Sequence, residues 1–201
     1  MSFYDFAKAT LRPVTALLFA VQVSGAERVP ATGPLVVAAN HRSYLDPPLL
    51  GAWFPRTVHF MAKRELFSMP VLSWAIRNVH AFPVERDSAD LGSIRRALRI
   101  LKDGGVVGIF PEGTRNIAGD AKARGGAVLL AALAQCPIVP VALVGTQRAA
   151  SRLRASKVEV RIGEPVMLQG SQRKPTKAEL ERWTGELSAT IDTLSARDGN
   201  S

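Results

Sequence analysis

The chain has 201 residues, 47% of them hydrophobic and 21% charged, which is enough apolar material for one domain with a substantial core and excludes a disordered polymer. Its net charge of +9 predicts an anionic partner; nucleic acid, a lipid surface and phosphorylated substrates all fit. Cys136 is the single cysteine, so no intramolecular disulfide can form, in keeping with a reducing compartment, and in LAQCPIVPVAL it reads as a small core residue.

Residues 3–21 come first. At about 100° per residue, Phe3, Phe6, Leu11, Val14, Leu17, Leu18 and Val21 share one arc, with Asp5, Lys8 and Arg12 opposite. Phe19 breaks the scheme, and Pro13 should kink or split the helix. The run Val14 to Val23 lacks the flanks of a signal peptide and falls short of the roughly 20 apolar residues that span a bilayer. Two placements are open: a helix packed on the domain's own core, or one lying in a membrane interface with Lys8 and Arg12 toward anionic headgroups. Residues 1–24 are therefore set apart as an amphipathic, membrane-associating helical segment, and 25–201 as an α/β domain.

After the turn VPATGP, short β-rich runs alternate with helical patterns. LVVAA (35–39), TVHFM (57–61), AFPV (81–84), VVGIF (106–110) and IVPVALV (138–144) read as strands, mostly buried on both faces, and VEVRIGEPV (158–166) as a late strand. The clearest helix carries Leu91, Ile94, Leu98 and Leu101 on one face, with Asp87 or Ser88 as N-cap and Gly104-Gly105 as its stop. A last helix sets Leu180, Trp183, Leu187, Ile191 and Leu194 in register. The alternation implies a single layered domain: a mostly parallel sheet flanked by helices. No internal repeat or low-complexity block interrupts it.

Two polar corners follow buried strands. In NHRSYLDPPLL (40–50) the strand ends at Asn40, and Pro47 and Pro48 suit a helix's first turn with Asp46 as its N-cap. On a continuous helix His41 and Asp46 would point about 140° apart. Across a strand–loop–helix corner they can meet, and a carboxylate on one imidazole nitrogen leaves the other as a base. FPEGTRN (110–116) sets Glu112, Gly113, Thr114 and Arg115 at another strand's carboxyl end. There glycine admits a ligand to the backbone and arginine offers a fork of donors to phosphate. Two such corners in one small domain predict a shared site where α/β folds bind ligands.

Together these corners resemble the glycerolipid acyltransferases typified by 1-acylglycerol-3-phosphate O-acyltransferase, over about Gly25 to Thr146. Asn40, His41 and Asp46 match the family's Asn-His-x4-Asp, and MAKRELF…AFPVERD resembles its second motif, giving Lys63, Glu65 and Arg86. Phe110 to Arg115 match its third motif in full, and IVPVALVG around Pro140 is similar to its fourth. His80 departs, since such proteins often have glycine there; it either alters acceptor fit or fills space at a strand entrance.

The resemblance implies transfer of an acyl group from an acyl-CoA or acyl carrier protein thioester to a lysophospholipid hydroxyl, with 1-acyl-sn-glycerol 3-phosphate the expected acceptor. His41 would be the general base and Asp46 would orient it. Arg115 with Gly113 and Thr114 would hold the acceptor's phosphate. Glu112 would orient Arg115 or a backbone amide, and Arg86 and Lys63 would be further anion contacts. Neither a cofactor nor a metal is expected: His41, His59 and His80 lie about twenty residues apart, away from the one apolar cysteine. The chain has no Gly-x-Ser-x-Gly elbow for a serine hydrolase and no glycine-rich nucleotide loop. Its dispersed cations lack the aromatic-plus-basic signature of a nucleic-acid binder. Peripheral attachment to the cytoplasmic side of the cell membrane is the expected location.

Overall fold

A computed structural model of the chain describes residues 2–85, 90–112, 125–151, 156–168 and 175–196. Its centre is β2 (Leu35–Ala39), a strand of five residues with no solvent exposure. A continuous apolar run is what a strand covered on both faces requires, and the two faces separate with period two. Leu35, Val37 and Ala39 enter one core layer with Leu50, Phe54, Phe60 and Val141. Val36 and Ala38 enter the other with Ala97, Leu101, Leu130 and Trp183.

Around β2 stand β1 (Ala20–Ser24), β3 (Val58–Lys63), β4 (Phe82–Val84), β5 (Val106–Ile109), β6 (Ile138–Val144) and β7 (Lys157–Ile162). The sheet order is β1-β7-β6-β2-β5-β3-β4. Every neighbouring pair is parallel except β6 and β7. The helices are α1 (Phe3–Leu18), α2 (Asp46–Trp53), α3 (Pro70–Asn78), α4 (Leu91–Lys102), α5 (Gly126–Ala134), α6 (Thr146–Ser151) and α7 (Lys177–Ala196). Leu50 of α2 enters the first layer, while Leu101 of α4, Leu130 of α5 and Trp183 of α7 enter the second. This is the α/β arrangement that the alternation predicts.

Several expectations need correction. Residues 1–24 are not one helical segment: α1 stops at Leu18, and β1 joins the sheet beside β7. Pro13 does not split α1, because the carbonyl it leaves without a partner belongs to exposed Ala9, where water can serve it. The cap of α4 is Asp90, whose carboxylate accepts from Ser93 N at 3.0 Å, while Asp87 and Ser88 fall outside the described residues. Gly104 does stop that helix, at a φ of 75° open to glycine. The late strand ends at Ile162; beyond it Val166 forms a single bridge to Ile138.

The polar side of α1 also turns the other way. Lys8 Nζ donates to Phe54 O at 2.6 Å and Arg12 Nε to Ala52 O at 2.7 Å, serving the unpaired carbonyls where α2 ends. Tyr4 donates to Gly51 O and accepts from Val58 N, and Thr15 Oγ1 accepts from the Trp53 indole. With its polar residues holding α2, α1 leaves Phe3, Phe6, Val14 and Leu17 facing out. Lys8 and Arg12 thus each hold a carbonyl at the end of α2, with Lys8 half-buried and Arg12 still exposed.

His80 has a φ of 61°, a left-handed conformation that glycine adopts without penalty. Its ring stacks on Tyr4 at 5.2 Å and lies tilted beside His59 at 5.0 Å, exposed at the entrance to β4.

Candidate active site

The carboxyl ends of β2 and β5 are neighbours in the sheet, and the two polar corners leave from them. At the first, Asn40 is buried and its amide clasps β6: Nδ2 donates to Leu143 O at 2.9 Å and Oδ1 accepts from Leu143 N at 2.7 Å. The side chain continues the ladder where the backbone turns away, so the next residue, His41, starts from a fixed point.

Asp46 is the first residue of α2, with Leu45 at the cap, and not the cap itself. Were Asp46 the cap, its side chain would bond the amide of Pro48 or Leu49, but Pro48 has no N–H and that of Leu49 already donates to Leu45 O at 3.0 Å. The carboxylate turns back into the loop instead, and is completely buried. Its Oδ2 accepts from Arg42 N and Ser43 N at 2.6 Å each, and from His41 Nδ1 at 3.0 Å. Two backbone amides therefore fix the acceptor before the imidazole meets it. A carboxylate can only accept, so Nδ1 carries a proton, and in the neutral ring Nε2 keeps its lone pair.

The ring is held on its face as well. Phe110, the residue after β5, stacks on His41 with centroids 4.4 Å apart, and Phe60 stacks behind Phe110 at 6.1 Å. The His41 side chain retains 12% exposure.

Glu112 ties the two corners together, its Oε2 accepting from His41 N at 3.3 Å. Burial raises its carboxyl above the ordinary value, against the opposing pull of that amide and of the Arg42 and His41 charges. A backbone amide is one of the two partners foreseen for Glu112; the other, Arg115, lies outside the described residues. Lys63, at the end of β3, ion-pairs with Glu65 at 3.7 Å and makes no hydrogen bond to His41, Asp46 or Glu112 among the described residues. Gly113, Thr114, Arg115 and Arg86 lie outside the described residues. Buried polar atoms without a partner are found at Asp46 Oδ1 and Arg42 Nε. Burial pushes the Cys136 thiol up to about 11, as for an unreactive core residue.

With Nδ1 bonded to Asp46, a neutral His41 ring is able to accept a proton at Nε2, and the buried Asp46 would balance the imidazolium. Among the described residues no cluster of His, Cys, Asp or Glu could hold a metal ion.

The sequence model of the family described as Acyltransferase matches residues 20–144. A Bacillus subtilis protein named 1-acyl-sn-glycerol-3-phosphate acyltransferase is 33% identical over 192 residues, covering 95% of this chain and 96% of its own length. A Streptococcus pneumoniae protein of the same name is 33% identical over 134 residues, covering 65% of this chain and 49% of its own. The chain thus spans nearly all of the first and about half of the second. The crystal structure of the 1-acyl-sn-glycerophosphate acyltransferase of Thermotoga maritima superposes with a TM-score of 0.75 at 27% identity, covering 98% of this chain and 81% of that one.

Proposed function

The chain belongs to the acyltransferase family, and from that premise we propose that it moves a fatty acyl group from a thioester to the free hydroxyl of 1-acyl-sn-glycerol 3-phosphate, forming phosphatidic acid. The hydrogen bond from His41 Nδ1 to Asp46 Oδ2 carries the reading, since it leaves Nε2 as a positioned base. His41 takes the hydroxyl proton as the oxygen bonds to the thioester carbonyl carbon. The carbon–sulfur bond then breaks, and the imidazolium returns the proton to the leaving thiolate. General-base help of this kind contributes on the order of 10²–10⁴-fold. No protein nucleophile is needed, because the acceptor supplies its own.

Asp46 orients the ring and balances its charge; Glu112 holds the His41 backbone. Arg115, with Gly113 and Thr114, holds the acceptor's phosphate, and Arg86 and Lys63 are further contacts for anionic substrate groups. The thioester is carried by coenzyme A or acyl carrier protein. Both reactants are amphiphiles, so the enzyme works on an anionic lipid surface at the cytoplasmic face. Support for that surface comes from the outward Phe3, Phe6, Val14 and Leu17 of α1 and from the net charge of +9. No helix among the described residues is long and apolar enough to cross a membrane. The second reading keeps the chemistry and exchanges the acceptor for another hydroxyl-bearing lipid.

Purified protein offered a panel of acyl thioesters and lysolipids, with products identified by mass, decides between them. Phosphatidic acid as the main product supports the first reading. Transfer confined to acceptors without a phosphomonoester supports the second.

A further inference from the structure

Large apolar side chains facing solvent concentrate on two helices. On α1 they include Phe6, 54% exposed, and Leu17, 78% exposed; on α3 they are Val71, 83%, and Trp74, 59%. The two sets are continuous. The Phe3 ring meets the Trp74 ring edge-on, with centroids 5.1 Å apart and planes at 74°, and Phe6 follows Phe3 at 6.5 Å. Val71 and Trp74, three residues apart, share one face of α3. Ile76 and, from the preceding turn, Phe67 pack on the core. Folding accounts for that inner face and leaves the outer one unexplained, and contiguous exposed apolar surface marks a contact site.

We propose that α3 is a second lipid-contacting element, docking together with α1 on an anionic bilayer with Trp74 at the headgroup–acyl boundary. The inference rests on the reading that the substrates are membrane amphiphiles. Three observations select a bilayer. Trp74 pairs an apolar ring with an indole N–H, the combination favoured at that boundary. From Leu66 to Val84 there is no Asp or Glu. Flanking Glu65 and Glu85 are held by Lys63 and Arg64, and α1's one carboxylate, Asp5, is tied to Ser2 in a capping box. Arg77, lying over the Phe67 ring, adds a cation at the rim, so among the described residues of the two helices and their flanks only Asp5, at the start of α1, keeps a carboxylate without a cation beside it to face lipid phosphates. The segment leading to α3 leaves β3 at Lys63, at the sheet edge that also carries His41 and Glu112. Seating both helices on lipid therefore brings that edge toward the membrane.

The test uses the full chain and phosphatidylcholine vesicles containing phosphatidylglycerol, with part of the phosphatidylcholine brominated along its acyl chains. Of the three tryptophans, Trp53 is half-buried and Trp183 buried, leaving Trp74 exposed. Brominated lipid should quench the emission of the wild type, and Trp74→Phe should lose most of that quenching while still binding. Val71→Glu should weaken vesicle affinity at least tenfold with an unchanged Tm, and should keep wild-type turnover on a short-chain, water-soluble lysophosphatidate without vesicles. Quenching that persists in Trp74→Phe overturns the proposal, as does wild-type vesicle affinity in Val71→Glu. So does a dimer that Val71→Glu dissociates while vesicle binding stays the same, for the face would then join two copies. If the wild type quenches as expected yet transfers no acyl group, the functional reading falls and the lipid contact stands.

Discussion

Asn40 exchanges two hydrogen bonds with the backbone of Leu143, so a side chain closes the ladder between β2 and β6 at the point where the candidate base begins. Asn40→Ala leaves the Leu143 N–H and C=O buried without the Asn40 partner. Each such group costs about 1–3 kcal/mol, so a loss of about 2–6 kcal/mol is expected in urea unfolding. Turnover should fall with it, since His41 is the next residue. A stable, fully active Asn40→Ala would show that the clasp does not position the base.

Asp46→Asn separates charge from shape. The amide oxygen can still accept from the Arg42 and Ser43 amides, so the protein should fold with a penalty of about 1–3 kcal/mol. The imidazolium loses its counter-charge, while the retained oxygen can still accept from His41 Nδ1 and keep the tautomer. A drop of about 10²–10⁴-fold in kcat is expected, with KM little changed. A rise confined to KM would assign Asp46 to binding.

The two sides of α1 should respond differently. Arg12 donates to Ala52 O and lies 5.8 Å over the Trp53 ring, so Arg12→Gln should cost about 1 kcal/mol of stability without weakening vesicle binding. Leu17→Glu should do the reverse, since that side chain faces out. Vesicle co-sedimentation and thermal melting of both variants check this, and a Leu17→Glu protein that binds as well as the wild type would remove α1 from the lipid contact.

His59 gives a pH signature. Burial holds its pKa below the ordinary 6.5, with the neighbouring His80 and Arg96 adding to the effect. The folded form therefore binds the proton less readily than the unfolded chain. This stability is intact above about pH 6.5 and is lost as pH falls through the folded value, by at most about 1.4 kcal/mol per pH unit. His59→Gln should flatten that slope relative to the wild type between pH 6.5 and 5. Parallel curves would contradict the assignment.

Where the sequence was legible, a single constraint dominated. LVVAA could only be a doubly covered strand, and IVPVALV was read to its observed ends because both faces of it are buried. The start of β1 was hidden inside the helical pattern of residues 3–21, since Val21 extends that arc as well as it begins a strand's alternation with Val23. α5 shows no stripe, being apolar on every side. The inverted packing of α1 was out of reach. Periodicity reports that a helix has two faces, while which face packs inward depends on the α2 carbonyls at Ala52 and Phe54 that its cations meet. At the site, the pairing of His41 with Asp46 was legible from the strand–proline corner. The Phe110 stack was not, because nothing local says that two strand ends will be neighbours.

Thiol release from an acyl thioester, dependent on 1-acyl-sn-glycerol 3-phosphate and compared between wild type and a folded His41→Ala, tests the central claim most directly. The wild type should release thiol and form phosphatidic acid in equal amounts, and His41→Ala should lose at least about 10²-fold of that rate with its melting transition retained. A folded His41→Ala that turns over near the wild-type rate would contradict His41 as the base.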